Sequence, residues 1–197
     1  QEFAGRMGSG FNVVGTTSFL NSCSGHGTHV AGIVGGATYG VAKNVTIHSV
    51  RVFDCIRKGL ASDAIAGIDW VAVNRILPAV ANISSSTDEP YQAEDDAVAN
   101  LTAAGVVVVV AAGNDARDAC SQSPARAPSA ITVGATDIYD RRAIWSAGTS
   151  ESNFGNCVDL FAPGFGIMSA WDTGNTASNI ASGTSLTAPH VAATPAQ

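Results

Sequence analysis

Residues 106–111 are an unbroken apolar run, five valines and an alanine, that follows Gly105 and leads into Ala112-Gly113-Asn114. A strand with one wet face alternates apolar and polar residues; this one has no polar side chain at either parity. It predicts a strand covered on both faces, the environment of a parallel sheet lying between helices. The flanking segments agree. Residues 45–52, rich in β-branched side chains, predict a strand, as do 79–83, 131–135 and 158–162. Ser62 can cap a helix running to about Asn74 with Ile65, Ile68 and Ala72 on one face, and 93–104 predict a second helix closed by Gly105. This order of strands and helices predicts an α/β fold of three layers, a mostly parallel sheet flanked by helices. Ligands in such folds bind beyond the carboxyl ends of strands, where Asn114 lies.

A chain of 197 residues is the size of one domain, and 46% hydrophobic against 13% charged residues suits a compact, well-buried core. No repeat or linker divides it, so residues 1–197 are read as a single domain. The net charge is −6, and Arg57-Lys58 and Arg141-Arg142 are the only basic pairs, which leaves no electrostatic footprint for nucleic acid. The longest apolar stretch, 105–112, is too short to cross a bilayer. None of the four cysteines stands in a C-x-x-C pattern; they fit an oxidised, extracellular protein, and the sequence itself leaves three pairings open.

Three segments carry chemistry. Gly183-Thr184-Ser185-Leu186-Thr187-Ala188-Pro189-His190 sets a serine among small residues ahead of a helix-like run. Ser24-Gly25-His26-Gly27-Thr28-His29 does the same for an imidazole, and Ala111-Ala112-Gly113-Asn114 ends a strand on an amide donor. A serine hydroxyl is a poor nucleophile at neutral pH until an imidazole takes its proton, and the oxyanion that follows needs hydrogen-bond donors. Each segment also has a plainer reading. Ser185 could be a helix N-cap, Asn114 a turn residue, and His26 with His29, at i and i+3, two ligands of a zinc site lacking a third. His29, His48 and His190 are read as structural hydrogen-bonding residues. The G-x-S-x-G elbow of α/β-hydrolase esterases is absent, since Thr187 stands where its second glycine belongs.

Taken together and in this order, the three motifs resemble the subtilisin-like serine proteases, in particular the proteinase K and aqualysin branch, over residues 1–190. The resemblance implies a secreted serine endopeptidase with His26 as general base and Ser185 as nucleophile. Asn114 and the Ser185 N–H would form the oxyanion hole. It implies polypeptide substrates, a monomer, no organic cofactor, and no nucleic-acid or membrane partner. Ala111, Ala112 and Gly113 would form a wall of the primary specificity pocket, with room for a large apolar or aromatic side chain. Ser84, Ser85 and Ser86 on one side and the segment around Gly59 on the other would clamp an extended peptide. Both clamps depart from the family pattern, through Ser85 in place of an apolar residue and through the bulky charge of Arg57. The same resemblance pairs Cys23 with Cys55 and Cys120 with Cys157. It also places a structural calcium ion on the Pro128 and Ala130 carbonyls and the Asp159 carboxylate, although residues 147–152 look inserted just ahead of Asp159. Thr187, where relatives carry alanine, is expected to cost stability by putting a hydroxyl against a packed helix.

The family's aspartate motif, D-[ST]-G, is expected upstream of the histidine segment, and only Glu2 among acidic residues precedes His26. Asp172-Thr173-Gly174 spells the motif in the wrong place and reads as ordinary turn chemistry. The chain therefore reads as a domain incomplete at both ends, and the 197 residues alone are expected to be inactive or unfolded. The rival reading is a catalytically dead protein of the same fold kept for binding. Asn44-Val45-Thr46 and Asn100-Leu101-Thr102 match glycosylation acceptors, which matter only in a eukaryote.

Overall fold

The computed structural model describes residues 1–15, 23–56, 58–146 and 150–195; Arg57 and residues 147–149 of the inserted-looking stretch lie outside them. The strands are β1 (Phe11–Asn12), β2 (Val50–Arg51), β3 (Val80–Ile83), β4 (Val107–Ala111), β5 (Ile131–Thr136), β6 (Ile144–Ser146), β7 (Ser150–Glu151), β8 (Leu160–Pro163), β9 (Ile167–Ala170) and β10 (Ser178–Ala181). The helices are α1 (His26–Gly35), α2 (Ala61–Asn74), α3 (Gln92–Ala103) and α4 (Thr187–Ala192). Four strands form a parallel sheet in the order β3-β4-β5-β8, while β9 and β10 make an antiparallel hairpin.

The valine run behaves as its composition requires. Successive side chains of a strand point to opposite faces. Val108 and Val110 pack with Ala81 and Ile83 against Ile68 of α2 and Val98 and Leu101 of α3. Val109 and Ala111 pack on the other face with Val133 against Ala188 and Ala192 of α4. The sheet is thus sandwiched between α2/α3 and α4, with α1 lying against α4 and β9. The three-layer α/β architecture is the one the sequence predicts.

Two local expectations change. Of residues 45–52 only β2 is regular strand; Ile47 forms a lone parallel bridge to Met7, and Thr46 and His48 are exposed. This segment is paired with residues 6–13, through bonds such as Gly8 N–H to Ile47 O, at 2.9 Å, and Phe11 N–H to Ser49 O, at 3.0 Å. Helix α2 begins one residue before Ser62, and its cap is made by Asp63, whose carboxylate accepts the Leu60 N–H at 2.9 Å while Leu60 O accepts the Asp63 N–H. A carboxylate in the first turn also suits the positive end of the helix dipole. Gly105 closes α3 as expected, with φ +91°.

On α3, Glu94 occupies the core face one and two turns before Val98 and Leu101, and it is 2% exposed. Its Oε2 has no partner, and the neighbouring Asp95 spends one oxygen on Arg126 Nε at 2.6 Å. Burial, with a smaller contribution from the Asp95 charge, pushes the Glu94 carboxyl up to about 7.

Disulfides join Cys23 to Cys55 and Cys120 to Cys157, closing separations of 32 and 37 residues. In the chain-entropy view each is worth about 3–4 kcal/mol. No helix among the described residues is long and apolar enough to cross a membrane.

Candidate functional site

Ser185 lies in a 3-10 turn, Thr184–Leu186, that feeds directly into α4, so the α-helix proper starts two residues later than the serine. The turn follows Gly183, whose φ of +149° a side chain would oppose. Ser185 is half-buried, and its Oγ donates to Ser84 O at 3.3 Å while Ser84 Oγ donates to Ser185 O at 2.7 Å. The two serines therefore lock the end of β3 to the turn. His26 opens α1, and α1 packs against both this turn and α4. The helix that begins with the imidazole and the turn that carries the hydroxyl are neighbours, although 159 residues separate them in sequence.

Asn114 is held from two sides. Its Oδ1 accepts both the Thr184 N–H and the Thr184 Oγ1–H at 2.9 Å. Thr184 Oγ1 in turn accepts the Gly113 N–H at 3.1 Å. Because the oxygen of the amide is committed to Thr184, the Nδ2 group is turned the other way as a donor. Behind it, Asn153 Nδ2 donates to Ala112 O at 2.9 Å and to Gln122 Oε1 at 2.5 Å, and Asn153 Oδ1 accepts the Asp115 and Arg117 N–H groups. Asn153, Gln122 and Thr184 are wholly buried. Gly113 adopts φ +102°, and a Cβ there would lie 2.2 Å from Gln122 Oε1 and 2.3 Å from Asn153 Nδ2. None of these three supporting residues is marked by sequence pattern alone; only Gly113 before a polar residue hints at a backbone that must turn and pack closely.

Ala111 and Ala112 turn their methyl groups into separate packed clusters, so what they can offer a pocket wall is backbone. Ser84 and Ser85 are half-buried and Ser86 is exposed. A cleft of ≈ 500 Å³ is lined by Phe53, Lys58, Gly59, Leu60, Asp63 and Ser86. It lies between the two segments that the sequence reads as a peptide clamp. Arg57, the departure noted there, is outside the described residues.

The other histidines are structural. His29 is buried, its Nε2 meets Asn179 O at 3.1 Å, and burial holds its pKa below the usual imidazole value. His190 Nδ1 donates to Leu186 O at 2.7 Å and is likewise lowered by burial. His48 Nδ1 pairs with Ser9 O at 2.8 Å. No group of three or more His, Cys, Asp or Glu side chains able to hold a metal occurs among the described residues. Thr187 corrects the expected penalty: it is fully buried, but its hydroxyl donates to Thr184 O at 2.8 Å and lies 3.2 Å from Val133 O. Its methyl sits where a Cβ on Gly164 would be, at 2.5 Å, so the missing side chain of Gly164 makes room for it. A buried hydroxyl with a partner costs little.

The sequence profile of the Subtilase family, Peptidase S8, matches residues 1–197. The chain belongs to the subtilase family. This subtilase chain is 56% identical over 191 residues to an extracellular serine proteinase of Thermus sp. strain Rt41A, covering 97% of the chain and 45% of that protein. It is 48% identical to alkaline serine exoprotease A of Vibrio alginolyticus, covering 97% of the chain and 34% of the relative. The crystal structure of a cold-adapted subtilisin-like serine proteinase superposes with a TM-score of 0.90 at 48% identity, covering 98% of this chain and 67% of that one. The subtilase chain thus spans less than half the length of these two sequence relatives.

Proposed function

We propose that the whole protein to which this subtilase chain belongs is a secreted serine endopeptidase, acting as a monomer on polypeptides. In this reading Ser185 Oγ attacks the peptide carbonyl carbon as its proton passes to the His26 imidazole. The charge that develops on the carbonyl oxygen is met by Asn114 Nδ2–H and the Ser185 N–H. The imidazolium then gives its proton to the leaving amine, and water, deprotonated by the same imidazole, hydrolyses the acyl ester on Ser185. Support comes above all from the Thr184–Asn114 lock, which orients an amide donor one residue from the candidate nucleophile. The names of the relatives, an extracellular serine proteinase and an alkaline serine exoprotease, support proteolysis through a serine. Substrate would lie extended in the cleft between Gly59 and Ser86, pairing through backbone groups. A large apolar or aromatic side chain would enter beside the 111–113 segment.

The residues proposed for calcium fit such an ion in kind. Asp159 is exposed and spends Oδ2 on the Thr132 N–H at 2.8 Å, which leaves its second oxygen for an ion. With the Pro128 and Ala130 carbonyls, on the segment entering β5, the donors are all oxygen, as calcium requires. Bound there, the ion would tie the entry of β5 to that of β8 and supply no chemistry to the reaction.

The test is covalent labelling of the full-length protein with an organophosphorus fluoride, alongside hydrolysis of a chromogenic peptide. One equivalent of label on Ser185 is expected, and Ser185→Ala should remove the label and lower turnover by more than ~10³-fold. A protein that neither takes the label nor cleaves peptides would be the catalytically dead binding protein instead.

A further inference from the structure

The residue before His26 is tied to the far end of the chain. Gly25 has φ +70°, and a Cβ on it would lie 2.3 Å from the Trp171 ring. Its N–H donates to Asp172 Oδ2 at 2.8 Å, across 147 residues. Helix α1 has no capping side chain at its own N-cap position, which Gly25 occupies. Asp172, half-buried, lies in the turn that leads from β9 to β10, closed by bonds from Trp171 N–H to Ala177 O and from Ala177 N–H to Gly174 O. Trp171 packs edge-on against His29, and Ser169 Oγ donates to His29 O at 2.8 Å. The hairpin is therefore seated on the first turn of α1 by a ring, a hydroxyl and a carboxylate. The Asp172-Thr173-Gly174 segment is a turn, as its composition says, and its carboxylate has a partner that composition does not reveal.

We propose that Asp172 is a positioning residue for the His26 imidazole: it fixes the peptide group that enters His26, and its negative charge favours the imidazolium formed when His26 takes the Ser185 proton. This rests on the reading of His26 as the general base. Among the described residues, few charged groups surround α1. The elements packed against it, β9, α4 and the turn 184–186, bring His190 as their ionisable side chain among the described residues. His29 lies on α1 itself, held below the usual imidazole value by its burial. The Arg51 guanidinium lies against the Cys23 sulfur, at 3.2 Å, on the approach to the helix. Arg6 and Glu2 meet the opposite end, where Arg6 Nη1 donates to Gly35 O. Asp172 is a carboxylate hydrogen-bonded to the peptide N–H at the start of α1.

The experiment uses the full-length protein with Asp172→Asn and Asp172→Ala, each also made in a Ser185→Ala background. The His26 titration is followed by NMR and assigned by loss of its signal in His26→Ala. Asparagine can still accept the Gly25 N–H, so Asp172→Asn removes charge and keeps the bond. It should lower the His26 midpoint by about 0.3–0.5 pH unit, the order expected when one unit charge acting through a mostly aqueous medium is removed. The acid limb of kcat/KM should move by the same amount. Asp172→Ala removes both and should lower kcat ~3–10-fold with KM unchanged. A His26 midpoint in Asp172→Asn within about 0.1 unit of the parent overturns the proposal, as does a folded Asp172→Ala that keeps the parent kcat. Because the titration is read in the Ser185→Ala background as well, a parent that fails to cleave peptides counts against the protease reading and leaves the Asp172 result standing.

Discussion

Glu94 should make this fold less stable as the pH rises from acid to neutral. Its carboxyl is 2% exposed on the core face of α3, one oxygen has no partner, and the pKa is pushed from 4.5 up to about 7. In the unfolded chain the group ionises near its ordinary value. Below that value both states hold the proton and ionisation takes nothing from folding stability. Between about 4.5 and 7 the unfolded state gives up its proton first, so folding stability falls by up to ~1.4 kcal/mol per pH unit. Above 7 the loss is complete, at about 3 kcal/mol. Glu94→Gln keeps the shape and cannot titrate, so its stability advantage over the parent should be about 3 kcal/mol larger at pH 8 than at pH 4.5. That corresponds to a relative shift in Tm of about 6–12 °C for a domain of this size. Glu94→Leu should show the same pH-dependent difference plus about 1–2 kcal/mol at every pH from apolar burial beside Val98 and Leu101. The measurement is urea unfolding from pH 4.5 to 9 on the full-length protein, with Ser185→Ala in every sample to suppress self-digestion. Parallel stability curves for parent and Glu94→Gln across that range would refute the burial argument.

Two further outcomes concern the support of Asn114. Gly113→Ala would force a Cβ into Gln122 and Asn153 at a left-handed φ, so it should cost more than about 2 kcal/mol, read as a lowered urea midpoint, and depress kcat in whatever remains folded. Thr184→Val keeps the volume but removes the hydroxyl that bridges Gly113 N–H and Asn114 Oδ1. It should lower kcat about 10-fold or more with KM within twofold, and an unchanged kcat in steady-state peptide hydrolysis would detach Thr184 from the oxyanion site.

The sheet was legible because the valine run can satisfy itself in only one environment, and its two faces are filled by the helices that the flanking periodicity predicts. Ser185, His26 and Asn114 were legible as candidates because small residues around a lone functional group are a local pattern. What stayed hidden was long-range polar pairing. Asn153 and Gln122 look like surface residues in sequence, yet each is buried by the partners it meets 31 to 41 residues away. Asp172 read as an idle turn residue because its partner is 147 positions distant. Glu94 was the exception: its spacing to Val98 and Leu101 places it in phase with a core stripe, a conflict between charge and period that could have been noticed. Ser62 does not cap α2 because the helix already starts at Ala61, where Asp63, at the third helical position, reaches back to hold the Leu60 N–H.

Strand β4 ends three residues before Asn114 and is filled on both sides. Hydrogen exchange along it can proceed only when the layers on both faces part, so its inner amides should be among the last in the molecule to trade protons with solvent. The amide at its tip is therefore anchored to the region that opens most rarely. Its aim is lost when the whole sandwich comes apart and not by fraying nearby.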